Sequence, residues 1–206
     1  QRLSGFDASM WANYLACAQL EEGRLSEVLG LFSPLGSHKG RLWLGLLREV
    51  EADVRRALPE FDLDLFLRVS LAFSFNSIGC WLGAASSATP GRWIGTALYA
   101  TASRMSHSCL PNASCRVCSP AGLLAVRAVR RIRRGEEVCI SYLGAEDLLA
   151  PGRQRREHLG RRYEFACRCP RCAGPFDDVL VHPCPRPGCE GSVRLGARAC
   201  VPTSAS

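Results

Sequence analysis

Residues 103–112 combine groups that could do chemistry: small polar side chains, a histidine, a cysteine and a proline in one irregular run. This composition suits a buried loop whose backbone and side chains are all committed to partners. A cysteine on such a loop can supply one thiolate of a metal site that distant residues complete, while its polar neighbours face a ligand. The candidate completion lies downstream, in Cys167-Arg168-Cys169-Pro170-Arg171-Cys172.

The chain contains twelve cysteines, and three of them form this Cys-x-Cys-x-x-Cys cluster. The cluster is too tight for ordinary disulfides among its own members and suits zinc thiolates. We therefore expect a reducing compartment, cytoplasm or nucleus. Five other cysteines lie mostly among apolar neighbours, and we interpret them as small buried hydrophobic residues. They are Cys17, Cys80, Cys115, Cys118 and Cys139.

Residues 184–191 look like half of a second zinc knuckle. Its ligands would be Cys184, Cys189 and Cys200, with His182 as a further candidate. The alternative is a small module whose other ligands lie past Ser206. The sequence leaves both open.

The 206 residues are 47% hydrophobic and carry a net charge of +7, which is typical of a globular protein of one or two domains. No apolar run of about 18 residues and no leader pattern is visible, so we expect no membrane association. Residue 1 is Gln rather than Met, which leaves a preceding targeting segment open.

Positive charge concentrates between Arg127 and Arg171, and this basic region could meet an acidic partner or nucleic acid. The other interpretation is a solvated helix face and turn. We favour the solvated face, because no aromatic residues interleave the arginines as a base-stacking groove requires. We expect no direct sequence-specific binding of nucleic acid.

The first 75 residues read as helical. A helix-like segment covers residues 11–31 with an interruption at Gly23, and a clearer amphipathic helix contains Trp43, Leu47, Val50 and Val54. Pro59 should stop that helix. A third helix is predicted from about residue 62 to 75.

From Asn76 onward the pattern changes to short elements. Residues 84–91 read as a loop and 93–102 as a strand or extended run, followed by β-like pieces at 114–118, 123–129 and 137–142. Turns are predicted at 119–122 and 133–136. Pro151 suits the first turn of a helix running to about Arg162. Little regular structure is expected after Cys172.

Three motifs in order carry a family resemblance. Ser106-His107-Ser108-Cys109-Leu110-Pro111-Asn112 resembles the Asn-His-Ser-Cys-x-Pro-Asn motif of SET-domain lysine methyltransferases. Residues 124–142 resemble the strand pair that follows it and the Gly-Glu-Glu-Leu-x-Ile-x-Tyr signature. Residues 163–172 are similar to the post-SET cysteine segment of the SET-and-MYND subfamily, and 40–76 to its helical insert.

The resemblance implies an α+β fold: the C-terminal half of the SET-domain β-fold, with a helical insert and a cysteine-rich, zinc-binding post-SET segment. The implied boundaries are 1–75 for the insert region, 76–145 for the SET core, 146–175 for the post-SET helix and zinc cluster, and 176–206 for the Cys/Pro/Gly-rich tail. It also implies that the first SET strands and the MYND finger precede this chain.

The implied activity is S-adenosylmethionine-dependent methylation of a protein lysine, in a histone or another protein. Tyr142 would be the catalytic hydroxyl, and Tyr163 would join it in the lysine channel. The cofactor would be held by Asn76, Ser106, His107 and Phe165. Zinc would be bound by Cys109, Cys167, Cys169 and Cys172 as a closed structural site of four thiolates.

One position in the motif departs from the family pattern. Ser106 stands where the family has Asn, and a hydroxyl is shorter than an amide, so we expect one hydrogen bond to the cofactor to be lost, at about 1 kcal/mol or more. The alternative function is therefore a catalytically inactive SET-like scaffold that binds proteins, with zinc serving structure only. Ser106 and the missing N-terminal strands favour that alternative.

Overall fold

The structure is a computed structural model, and it describes residues 6–82, 92–117, 122–174, 181–189 and 191–194. The predicted loop at 84–91, Cys118, Cys200 and most of the predicted turn at 119–122 lie outside these residues. Among the described residues, no helix is long and apolar enough to cross a membrane.

Four helices form the first part of the chain: α1 (Ala8–Ala18), α2 (Glu22–Leu29), α3 (His38–Ala57) and α4 (Leu63–Asn76). The other three pack against α4, so α4 is the central helix. Asp7, Ser37 and Asp62 each begin a helix by accepting a hydrogen bond from a backbone N–H of its first turn. The predicted helical character of this region is confirmed.

The core among these helices is aromatic and aliphatic. Phe66 and Leu71 of α4 are fully buried, as is Leu47 of α3. Phe66 makes ring contacts with Phe6 and Tyr14 at centroid distances of 5.6 and 5.5 Å. Leu47, Val50 and Val54 recur at helical spacing in the sequence and share the buried face of α3, as the amphipathic pattern predicts.

The first predicted segment is two helices rather than one. The chain breaks at residues 19–21, and Gly23 lies in the first turn of α2 instead of interrupting a helix. The prediction placed the break two to four residues too late.

The strands are short and pair two by two. Antiparallel hairpins form from β1 (Ile78–Leu82) with β2 (Arg92–Ala97) and from β4 (Ala113–Val117) with β5 (Leu124–Ala128). A parallel pair forms from β3 (Ser106–His107) and β6 (Cys139–Ile140). Strand β4 lies against both β1 and β6, which brings the pairs together.

Two predicted strands are shorter than expected. Only Cys139–Ile140 of the predicted 137–142 piece is a strand, and the extended run at 93–102 ends at Ala97, followed by a 3-10 helix at Ala102–Arg104. The residues around β6 bond to side chains of the motif loop instead of to a strand. The turn at 133–136 is confirmed, with Gly135 at a φ of 82° and Glu136 N–H bonded to the Arg133 carbonyl.

The remaining elements are α5 (Ala145–Leu149), α6 (Gly152–Tyr163), α7 (Pro170–Ala173) and a hairpin of β7 (Val181–Pro183) and β8 (Ser192–Arg194). Pro151 is the N-cap of α6 rather than a residue of its first turn. Neither α5 nor α7 was predicted, and the hairpin contradicts the expectation of little regular structure after Cys172. The predicted domain boundaries stay a prediction.

Candidate functional site

The motif loop is tied to β6 and is buried only in part, since Arg104 and Leu110 are exposed. Ser108 N–H donates to the Ile140 carbonyl, and Asn112 N–H donates to the Cys139 carbonyl. Ser103, Ser108 and Asn112 are all less than 9% exposed. These backbone bonds hold the loop beside residues 139–142, so Tyr142 emerges next to His107.

Asn112 is the centre of this arrangement. Its side-chain oxygen accepts from Cys139 N–H at 2.8 Å, and its amide group donates to the Glu137 carbonyl at 2.8 Å and to the Glu136 carboxylate at 3.1 Å. The side chain is 2% exposed, so these bonds satisfy a buried amide. Sequence reasoning assigned Asn112 no role, although it ends the motif.

Four thiols meet where the loop contacts the C-terminal helices. The sulfur atoms of Cys109, Cys167, Cys169 and Cys172 all lie within 4.8 Å of one another. Cys109 Sγ is 3.6 Å from Cys172 Sγ and 4.0 Å from Cys167 Sγ, far longer than a disulfide bond. Tetrahedral zinc with bonds of about 2.3 Å would separate its sulfur ligands by about 3.8 Å, so the spacing fits a metal ion.

Two buried arginines lie beside the thiols. Arg155 has a relative exposure of 0% and its guanidinium is 3.6 Å from Cys172 Sγ, while it donates to the Ala150 carbonyl at 2.6 Å. Arg171, 8% exposed, donates to the Cys109 carbonyl at 2.9 Å and to the Leu148 carbonyl at 3.1 Å. These contacts contradict the interpretation of the whole basic region as solvated, although Arg153 and Arg156 do face solvent.

The charges in this cluster match a metal site. Four thiolates around a divalent cation carry a net charge of −2, and two guanidinium groups supply +2. Burial raises the pKa of Cys169, but hydrogen bonds from the Cys109 and Cys172 backbones and from neighbouring thiols outweigh it and bring the pKa to about 7. Burial raises the pKa of Cys167 to about 11. A bound cation would favour all four thiolates.

Cys184 and Cys189 lie outside this cluster, on the turn between β7 and β8. Cys184 N–H donates to the Gly191 carbonyl and Cys189 N–H to the Arg186 carbonyl, at 2.8 and 3.1 Å. With Cys200 beyond the described residues, the second zinc knuckle stays a prediction.

His107 connects the thiols to the loop after β6. Its Nδ1 accepts from Tyr142 N–H at 3.0 Å, which places the ring proton on Nε2, 3.3 Å from Cys109 Sγ. Burial, assisted by the positive charge of Arg155, lowers the pKa of His107 to about 4. The ring is therefore neutral at physiological pH, and Nε2–H can donate to the Cys109 thiolate.

All six residues predicted for cofactor and lysine binding line one cavity of about 790 Å³. Asn76 comes from the end of α4 and Ser106 and His107 come from β3. Tyr142 follows β6, Tyr163 is the last residue of α6, and Phe165 follows that helix. Leu31, Phe32 and Phe75 supply apolar walls, and Arg104 and Glu164 supply charge. Sequence reasoning missed Phe32 and Arg104, although Arg104 lies within the motif stretch.

A second cavity, of about 750 Å³, shares part of its lining with the first. Both are lined by Phe75, Asn76, Ser103, Tyr142 and Tyr163, so these residues form a common wall. The rings of Tyr142 and Tyr163 have centroids 5.0 Å apart, and Tyr142 meets Phe165 edge-on at 6.3 Å. Two adjoining cavities that share aromatic residues suit two ligands that meet at those residues.

The Tyr142 hydroxyl has a fixed orientation. It donates to the Met105 carbonyl at 2.5 Å, which leaves the oxygen lone pairs as acceptors. Burial raises the pKa of Tyr142, and the neighbouring Tyr163 raises it further. The phenol is therefore neutral at physiological pH and can accept a hydrogen bond from a ligand.

Two of the predicted cofactor residues have partners within the protein. The Asn76 amide group donates to the Phe32 carbonyl at 2.7 Å and the Ala72 carbonyl at 2.8 Å. The Ser106 hydroxyl donates to the Glu137 carboxylate. Each side chain keeps acceptor capacity on its oxygen.

The comparison with protein families agrees with these motifs. The SET-domain family model matches residues 39–143, about half of the chain. The chain belongs to the SET-domain family.

Curated relatives include SMYD proteins. Human protein-lysine N-trimethyltransferase SMYD5 is 39% identical over 75 residues, which are 36% of this chain and 18% of that protein. Human N-lysine methyltransferase SMYD2 is 45% identical over 69 residues (33% and 14%), and mouse histone-lysine N-methyltransferase SMYD3 is 46% identical over 70 residues (34% and 15%). These alignments span less than a fifth of each relative and confirm the resemblance to SMYD-type SET proteins.

Proposed function

We propose that this chain is the catalytic part, or a portion of it, of an S-adenosylmethionine-dependent protein-lysine N-methyltransferase. The observation that carries the proposal is that Tyr142 and Tyr163 line both of two adjoining cavities. The SET-domain match and the relatives named as lysine methyltransferases support it. The substrate would be a lysine side chain of a histone or another protein.

The first cavity is the proposed cofactor site. S-adenosylmethionine would supply an electrophilic methyl group on a sulfonium. Phe165 offers an aromatic face to the adenine, and Asn76 and Ser106 offer polar oxygens, while His107 holds the backbone before Tyr142 in place. Because the walls include Leu31, Phe32 and Phe75, this cavity would also limit the access of water to the reacting groups.

The second cavity is the proposed site for the substrate peptide. Its lysine would pass between Tyr142 and Tyr163, and the Tyr142 oxygen would accept a hydrogen bond from the amine. The Tyr142 hydroxyl donates its proton to the Met105 carbonyl. The Tyr142 oxygen would therefore act towards the amine as an acceptor. Positioning of the amine in line with the methyl group would supply most of the rate.

We further propose that the thiol cluster is a structural zinc site. Four thiolates leave no position for water, so zinc would not act on substrate. The site would join Cys109 of the motif loop to the segment that follows Phe165, and loss of metal would therefore disturb the cofactor cavity as well.

We also propose a cytoplasmic or nuclear location, because four clustered thiols suited to a metal ion persist best in a reducing compartment.

The second candidate is a catalytically inactive SET-like scaffold that binds proteins. The observation that favours it is Ser106, whose hydroxyl donates to Glu137 instead of standing free for a ligand. An inactive scaffold would keep the zinc site and lose the cofactor.

Calorimetric titration of S-adenosylmethionine into the full-length parent protein separates the two candidates. Saturable binding supports the enzyme, and no binding at millimolar ligand excludes it.

Tyr142→Phe tests the role of the hydroxyl. We expect turnover to fall about a hundredfold, with little change in cofactor affinity, because the removed group would act on the amine. Tyr99→Phe is the control, since the Tyr99 hydroxyl donates to the Gly122 carbonyl and Tyr99 lines neither cavity. Unchanged turnover of Tyr142→Phe would remove the hydroxyl from the mechanism.

A further inference from the structure

Glu164 adopts a backbone conformation that its own side chain does not favour. It follows α6 as the C-cap, with φ of 59° and ψ of 31°, in the left-handed region where Gly or Asn is usual. A carboxylate at this position also lies near the negative end of the α6 dipole. Neither the backbone of Glu164 nor its charge is explained by α6.

The explanation lies across the cavity, at the N-terminus of α3. The Glu164 carboxylate accepts from the backbone N–H of His38 at 2.8 Å and of Lys39 at 2.9 Å. Ser37 accepts from Gly40 N–H at 2.9 Å, so three N–H groups of the first turn have acceptors. Burial alone would raise the pKa of Glu164, but the bonds from Lys39 and His38 outweigh it and lower the pKa.

Lys39 strengthens the same connection. Its ammonium group donates to the Arg162 carbonyl at 3.2 Å and to the Ser74 hydroxyl at 2.7 Å, and it lies 4.7 Å from the centre of the Phe75 ring. The first turn of α3 therefore holds both sides of the turn at residues 162–164. We call these contacts of Glu164 and Lys39 the α3 latch.

The latch lies between two residues of the proposed site. Tyr163 and Phe165 flank Glu164, and all three line the first cavity. We propose that Glu164 is a positioning residue, whose attachment to the α3 N-terminus holds Tyr163 and Phe165 in place against the cofactor. This inference rests on the proposed function and adds a role for the helical insert, which would shape the cofactor site from outside the motifs.

Two variants remove the latch from opposite sides. Glu164→Gly deletes the carboxylate and suits the positive φ. His38→Pro deletes one N–H donor at the first position of α3, where proline is tolerated. The control is Glu49→Gln, an exposed carboxylate further along α3. Hydrogen exchange and calorimetric titration of S-adenosylmethionine would be measured for each variant of the full-length protein.

We expect both latch variants to speed amide exchange at residues 163–165 and to weaken cofactor binding about tenfold, from the loss of hydrogen bonds to a charged group. The double variant should be little worse than the worse single variant, because both remove one interaction. Glu49→Gln should change neither quantity.

Faster exchange with unchanged cofactor affinity would overturn the proposal, since the carboxylate would then be only a helix cap. Absence of cofactor binding by the parent protein would instead overturn the proposed function. In that case, amide exchange at residues 163–165 still tests whether the attachment of Glu164 to the α3 N-terminus holds these residues in place. Faster exchange in His38→Pro would support this attachment, and unchanged exchange would contradict it.

Discussion

Replacing Arg155 by methionine removes a buried positive charge from beside the thiol cluster and leaves a long apolar side chain in its place. Arg155 is fully buried, donates to the Ala150 carbonyl at 2.6 Å and lies 3.6 Å from Cys172 Sγ. The variant would leave that carbonyl without this donor and the zinc thiolates with only Arg171 of the two buried guanidinium groups.

The expected loss of stability follows from these contacts. Loss of its donor would cost a fully buried carbonyl about 1–3 kcal/mol, and the part-buried Ala150 carbonyl no more than that. Breaking a buried charge pair by removing one partner costs about 3–5 kcal/mol. The two overlap, so we expect the free energy of unfolding to fall by about 3–5 kcal/mol. This is a large part of the roughly 5–15 kcal/mol that holds a typical domain folded.

Urea unfolding of the zinc-loaded protein measures this change in stability. The rate at which a chelator removes zinc measures a second effect of the variant, on metal retention. Zinc should leave Arg155→Met faster, because its thiolates have lost a compensating charge. Arg155→Lys should lie between the variant and the parent, since it keeps the charge without the planar group. Arg153→Met is the control, as the exposed Arg153–Glu157 pair at 2.8 Å should contribute less than about 1 kcal/mol.

Arg155→Met with the stability and zinc retention of the Arg153→Met control would refute the reasoning. The stability of the thiol cluster would then not depend on buried positive charge. The match between the −2 charge of a metal-bound cluster and the +2 charge of Arg155 and Arg171 would have no energetic effect.

Two further predictions concern single side chains. Ser106→Asn should tighten S-adenosylmethionine binding about fivefold, as one regained hydrogen bond contributes about 1 kcal/mol; calorimetry giving equal or weaker binding would contradict it. Glu136 has a pKa lowered to about 2 by Arg130, the Arg133 N–H and Asn112. The stabilising effect of the Glu136 carboxylate is complete above pH 4.5 and is lost as the pH falls towards 2. Glu136→Gln should therefore make the urea midpoint less dependent on pH between about 5.5 and 3. An unchanged slope of midpoint against pH would refute this.

Much of the local structure could be predicted from the sequence. The apolar spacing of α3 and α4 is a local signal, and it predicted both helices within a few residues. The two-residue strand β6 could not be predicted, because its neighbours have strand-like composition but bond to Asn112. Tertiary contacts overrode strand propensity there.

That distant residues come together in the candidate site could be predicted only from the sequence motifs. Cys109 and Cys167 are far apart in the chain. The residue types suggested that they belong to one metal site and the resemblance implied the same ligand set, before the structure placed their sulfur atoms 4.0 Å apart. Phe32 and Arg104 carried no comparable signal. Whether such residues line a cavity depends on how α2 and the 3-10 helix pack, which no local pattern records.

By itself, the sequence determined which chemical groups were available. These are four thiols that could bind a metal ion, the aromatic side chains of Tyr142, Tyr163 and Phe165, and a basic helix after Pro151. The tertiary structure decided their chemistry. Arg155 and Arg153 stand two positions apart in one arginine-rich helix, yet one is fully buried beside the thiols and the other faces solvent. Likewise, nothing in the sequence distinguishes Glu164 from other acidic residues, whereas in the structure its carboxylate accepts hydrogen bonds from the N-terminus of α3. Burial and charge compensation depend on what packs opposite a residue, and packing is set by the whole fold.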